Sequence, residues 1–135
     1  MACARALVEE GCRVTVCARG VERLNAAAAE LRAVNGAADR VLSVHADVAE
    51  ADGVERVVSA TVEQFGGLDI LVNNVGLARG AAIADTSDGE WQEAFDQTLM
   101  PAVRASRLAV PHLRKRGKRA KPAGRPRSKT PSRRR

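Results

Sequence analysis

The sequence predicts an α/β fold in which helices cover a parallel sheet. Two patterns carry that expectation. Short β-branched runs alternate with longer stretches of helical apolar spacing, at the intervals of strand-helix-strand units. A glycine, alone or beside another turn residue, closes each of the first three helical stretches. A third pattern bounds the folded part: after Leu113 no apolar residue larger than Ala or Pro occurs, so the remainder cannot bury enough surface to offset the entropy of ordering.

Taken in order, Met1 to Glu10 reads as helix, with Ala2, Ala4, Ala6, Leu7 and Val8 followed by Gly11 as its stop. Arg13 to Ala18 holds Val14, Thr15, Val16 and Cys17, which suits a strand buried on both faces. From Val21 to Val34 the residues Leu24, Ala28, Leu31 and Val34 share one helical face, and Asn35-Gly36 ends it. Val41 to Ala46 reads as a second strand. A third helix is expected from about Ala51 to Phe65, with Val54, Val57, Val58, Thr61 and Val62 inward and Gly66-Gly67 closing it. Leu68 to Asn73 reads as a third strand. After a polar loop through Arg79 to Asp85, Ser87 and Glu90 have capping-box spacing before Trp91, opening a helical stretch that Pro101 is expected to divide. The domain is therefore drawn over 1–113, with a disordered basic tail over 114–135.

Charge separates these two parts. The 135 residues carry a net charge of +6, yet residues 1–113 hold all 16 acids and no Lys, a net of −6, whereas 114–135 carry 12 basic residues and no acid. The body has no Tyr, and all four Lys (Lys115, Lys118, Lys121, Lys129) lie in the tail. Proton transfer by a phenol and Schiff-base chemistry are thereby excluded from the body. Cys3, Cys12 and Cys17 form one odd cluster among apolar residues, which suits small core residues better than a disulfide framework or a zinc site. No apolar run reaches the ~18 residues of a membrane span, and no signal-peptide pattern opens the chain. A reducing, cytoplasmic setting is expected. His45 and His112 have no partner at ligand or triad spacing and are read as structural or solvent-facing.

The run Leu68-Asp69-Ile70-Leu71-Val72-Asn73-Asn74-Val75-Gly76 resembles the Asn-Asn-Ala-Gly block of the short-chain dehydrogenase/reductase family, with Val75 in place of the usual Ala. Asp47-Val48 lies 26 residues before Asn73, where that family places an Asp and an apolar residue after its third strand. Gly11 to Arg19 looks like the family's second strand, and Glu90-Trp91 through Pro111-His112-Leu113 resembles its long interface helix region. The resemblance covers about Ala2 to Arg116 and implies a partial Rossmann-type doubly wound parallel sheet, lacking the family's first strand and the strands after its fourth.

The resemblance also implies a cofactor site. Asp47 would accept a hydrogen bond from the adenine amino group, with Val48 against the base; a helix-cap or loop carboxylate is the alternative. Asn74, Val75 and Gly76 would run beside the adenosine ribose, Gly76 allowing close approach, while Asn73 would tie neighbouring strands together. Arg19 follows the second strand where an acid would bind the ribose hydroxyls of NAD and an Arg would pair with the 2′-phosphate of NADP, so NADP is favoured. A solvated surface Arg is the competing reading.

Against the family's pattern, the text begins inside the helix that follows the glycine-rich turn. The phosphate cradle and the strand between those at Arg13 and Leu68 are therefore expected to be missing, leaving unpaired sheet edges. No catalytic Ser, nor Tyr and Lys four residues apart, follows Arg116-Gly117, and Thr98 stands where the family often has an Asn. The switch to Arg/Pro/Ser-rich text suggests a shifted reading frame or a novel end, which the coding DNA would test. No catalytic residue and no metal site is assigned. The expected function is thus a piece of an NAD(P)-dependent oxidoreductase, of the type that interconverts carbonyls and alcohols, inactive as this chain alone. Two alternatives stand beside it: non-specific nucleic-acid binding through the tail, without aromatic residues for stacking, and docking onto an intact family subunit through 87–116.

Overall fold

The computed structural model describes residues 1–76 and 82–117. Helix α1 (Ala2–Glu9) leads through Gly11, whose φ of 81° suits only glycine, into strand β1 (Val14–Ala18). Helix α2 (Val21–Ala33) ends in a short 3-10 turn at Asn35 and Gly36, both at positive φ, before strand β2 (Val41–His45). Helix α3 (Ala51–Phe65) stops at Gly66 in the left-handed conformation. A 3-10 turn at Ile83–Asp85 precedes α4 (Asp88–Gly117).

β1 and β2 pair in parallel, Val14 opposite Val41 through Ala18 opposite His45. Helices lie on both faces, as the alternation of elements requires. Val14, Val41, Ala28, Leu31, Ala37 and Val8 form a buried cluster joining the sheet to α1 and α2. On the other face Thr61 of α3 hydrogen-bonds Thr15 of β1 through their hydroxyls at 2.9 Å and donates to the Val57 carbonyl. Val54 and Val58 of α3 are buried beside it.

Four expectations are corrected. Leu68 to Asn73 is not a strand: no described residue gives this stretch a backbone ladder, and Ile70, Val72 and Val75 are about half exposed. Its apolar pattern suits a strand, but strand structure requires a neighbour to share hydrogen bonds. Pro101 does not divide the last helix, which runs unbroken across Pro101 and Pro111 over 30 residues. Pro101 is itself buried, so packing holds the helix together where a backbone bond is lost. Helical structure also continues through residues 114–117, past the expected edge of the tail, while the expectation of disorder for 118–135 lies outside the described residues. Finally, Cys3 is exposed rather than core, with Cys12 and Cys17 partly buried.

Candidate functional site

β1 and β2 run side by side, so their C-terminal ends deliver two consecutive loops to one edge of the sheet, the edge at which open α/β sheets bind ligands. Arg19 leaves the first strand and Asp47 leaves the second. Arg19 Nη1 stands 3.7 Å from Asp47 Oδ2, with the Arg side chain 70% exposed and the Asp side chain 41% exposed. A cation and an acceptor thus share one open position.

Each is held by its own loop. The His45 ring donates from Nε2 to the Arg19 carbonyl at 2.9 Å, linking the ends of the two strands. Asp47 Oδ1 accepts the Ala49 N–H at 2.9 Å, and the Asp47 carbonyl accepts from Glu50 at 3.2 Å. The alternative loop role of Asp47 is therefore real, but it occupies only one oxygen. A carboxylate has about four acceptor positions, which leaves capacity on the side facing Arg19. Val48 is half-buried behind it.

Three residues that sequence reasoning missed shape this loop. Arg104 of α4 donates to the Ala49 carbonyl, tying the last helix to the Asp47 turn. Arg56 of α3 donates to the His45 carbonyl at 3.3 Å. Gly53 of α3 lets the helix touch the loop: a Cβ there would lie 1.8 Å from the Asp47 carbonyl oxygen. A glycine inside the first turns of an otherwise ordinary helix was the available signal for Gly53. The arginine contacts span the fold and had none.

Asn74, Val75 and Gly76 are all exposed. A Cβ on Gly76 would meet Thr98 Cγ2 at 3.7 Å, an ordinary contact, so packing within this chain does not require glycine there. Asn73 donates to Ser106 Oγ at 3.5 Å and so ties its segment to α4 rather than to a neighbouring strand. The structure brings Arg19, Asp47 and Val48 together, while Asn74 to Gly76 lie on the separate extended segment. Among the described residues, no group of three or more His, Cys, Asp or Glu can hold a metal, and no helix is long and apolar enough to cross a membrane.

The family model for short chain dehydrogenases matches residues 1–121. The chain belongs to the short-chain dehydrogenase/reductase family. It is 36% identical over 113 residues to a hexahydroindene-carboxyl-CoA reductase of Mycobacterium tuberculosis, covering 84% of this chain and 42% of that protein. Among solved structures, L-sorbose reductase from Gluconobacter frateurii, complexed with NADPH and L-sorbose, superposes with a TM-score of 0.77 at 41% identity, over 84% of this chain and 43% of that one. An alcohol dehydrogenase from the archaeon Thermococcus sibiricus, complexed with 5-hydroxy-NADP, gives a TM-score of 0.77 at 32% identity, over 84% of this chain and 48% of that one. This short-chain dehydrogenase/reductase chain therefore spans less than half the length of the relatives it matches.

Proposed function

We propose that the chain is the adenosine-gripping portion of an NADP-dependent oxidoreductase of this family, working in a cytoplasmic setting and incapable of turnover by itself. The single observation that carries this is the meeting of Arg19 and Asp47 at 3.7 Å on the ligand-binding edge of the sheet. Arg19 would pair its guanidinium with the 2′-phosphate of NADP. Asp47 would turn Oδ2 to the adenine amino group once Arg19 engages the phosphate, and Val48 would pack against the base. Asn74, Val75 and Gly76 would lie along the ribose. The relatives crystallised with NADPH and 5-hydroxy-NADP support this choice of cofactor.

The residues present fit that end of a dinucleotide: an exposed cation suits a phosphate, and a half-exposed carboxylate with acceptor positions to spare suits an amino group. When bound, the nicotinamide would supply hydride. The lack of Tyr and Lys in residues 1–113 leaves that body with no phenol or lysine ammonium group to move the accompanying proton. Titration calorimetry with 2′,5′-ADP and 5′-AMP tests the reading. The 2′-phosphate should strengthen binding, and Arg19→Ala should erase that gain; equal binding of the two nucleotides to the unaltered chain would overturn it.

A second reading is supported by α4. Trp91, Phe95, Leu99, Val103 and Val110 repeat at helical spacing and remain exposed, as a helix that docks onto another subunit through 87–116 would leave them. Co-expression with an intact family member followed by size-exclusion chromatography distinguishes it, a shared peak being the expected outcome.

A further inference from the structure

The proposed choice of cofactor rests on Arg19, yet the Arg19 side chain does little to hold itself in place. Its polar contact is the 3.7 Å ion pair with Asp47, and with both side chains open to solvent such a pair fixes little. What aims the guanidinium is therefore the main chain beneath it, and that main chain is weakly held on both sides. Before it, the register of the two strands ends with Ala18 opposite His45. Among the described residues, the last main-chain bond between these strands runs from the Ala46 N–H to the Ala18 carbonyl at 3.3 Å. After it comes Gly20, extended at the entrance to α2, where no side chain caps the helix and no packed neighbour lies within 4 Å of the place a Cβ would take.

One contact crosses this gap. Among the described residues, the donor that reaches the Arg19 carbonyl is the His45 ring, with Nε2 at 2.9 Å. A carbonyl oxygen only accepts, so Nε2 carries the proton. The last side chain of β2 thus extends the pairing one residue past the end of the main-chain register. His45 is itself anchored: its carbonyl accepts from Arg56 Nη1 at 3.3 Å, and Arg56 Nη2 donates to Asp52 Oδ2 at 3.4 Å. Asp47 stands two residues further along the same segment. His45 therefore couples the loop that carries Arg19 to the strand end that carries Asp47.

We infer that His45 is a positioning residue for cofactor selection: by donating to the Arg19 carbonyl it sets the direction in which the guanidinium leaves the sheet, and so enforces a preference for 2′-phosphorylated over unphosphorylated adenosine. This rests on the proposed pairing of Arg19 with the 2′-phosphate. The effect is one of pre-organisation, because a loop already ordered in the free protein loses less freedom when the phosphate arrives. No contact between His45 and the nucleotide is needed. Spacing gave no sign of this role, since the partner is a main-chain oxygen 26 residues away.

Titration calorimetry of the full chain with 2′,5′-ADP and 5′-AMP reads the effect as the ratio of the two dissociation constants, which partial unfolding of a variant leaves unchanged. His45→Phe keeps a planar ring and removes the donor, and should cut the ratio about fivefold. His45→Gln puts an amide nitrogen near the place of Nε2 and should restore most of it. In the Arg19→Ala background His45→Phe should change the ratio no further, because the two residues act through one contact to the phosphate. An undiminished ratio in His45→Phe, an equal loss with Phe and Gln, or a further loss in the Arg19→Ala background would overturn the inference, while a preference of the unaltered chain for 2′,5′-ADP would leave the nucleotide reading standing. No preference in the unaltered chain would overturn both.

Discussion

Gly53 concentrates the fold's tolerance at one atom. Gly53→Ala would drive a Cβ to 1.8 Å from the Asp47 carbonyl oxygen and 2.7 Å from its carbon, main-chain atoms that cannot swing aside. The expected cost is about 2 kcal/mol in urea unfolding, with nucleotide binding reduced because the Asp47 turn shifts. Cys17 responds to pH instead. Burial pushes its thiol up from its ordinary value, because a thiolate loses solvation there. Above the ordinary thiol range the unfolded chain gives up this proton first, so stability falls as pH climbs toward the raised folded value. Iodoacetamide labelling at mildly alkaline pH should therefore modify the exposed Cys3 well before Cys17. The positions of Arg19, Asp47 and Val48 were legible because each follows a strand whose pattern is plain, and strand ends fix where loops emerge. Gly53 was not singled out, since its role depends on a loop six residues earlier folding back onto the helix.

At the level of elements, α2 supplies the deepest anchor. Leu31 is 1% exposed in the cluster with Val8 and Val14, and Leu31→Ala should cost about 3 kcal/mol, read from the denaturation midpoint. The start of α4 rests on a reciprocal cap: the Ser87 hydroxyl donates to a Glu90 carboxylate oxygen at 2.7 Å, the Ser87 N–H donates to the same oxygen at 2.8 Å, and the Glu90 N–H donates back to the Ser87 hydroxyl at 3.4 Å. Ser87→Ala should lower stability by about 1 kcal/mol and reduce helical circular dichroism. The cap was readable because it is a local pattern of two residues. The fate of Leu68 to Asn73 was not, because alternation of apolar residues reports what a segment suits, and pairing depends on what stands next to it. Pro101 misled for the same reason in reverse. Its local effect is to break a helix, but α4 is packed on α3 over this stretch, with Ala109 fully buried and Arg104 fixed to Ala49.

The molecule as a whole joins the proposed nucleotide-binding edge to a body without Tyr or Lys. Mixed with NADPH and a panel of ketones, the chain should consume no cofactor above the buffer rate, and absorbance at the nicotinamide band checks this directly. Its family and α/β class were legible, since order and spacing of motifs survive where individual contacts do not. The guanidinium groups of Arg32 and Arg56 have a consequence for how such molecules accumulate. Both lie over main-chain carbonyls on the outer edge of β2, so that side of the sheet is closed to a strand from another copy. Concentrated solutions should accordingly give bounded particle sizes by light scattering. Arg32→Ala together with Arg56→Ala would open that side and permit strand-mediated association, visible as thioflavin fluorescence that rises with time.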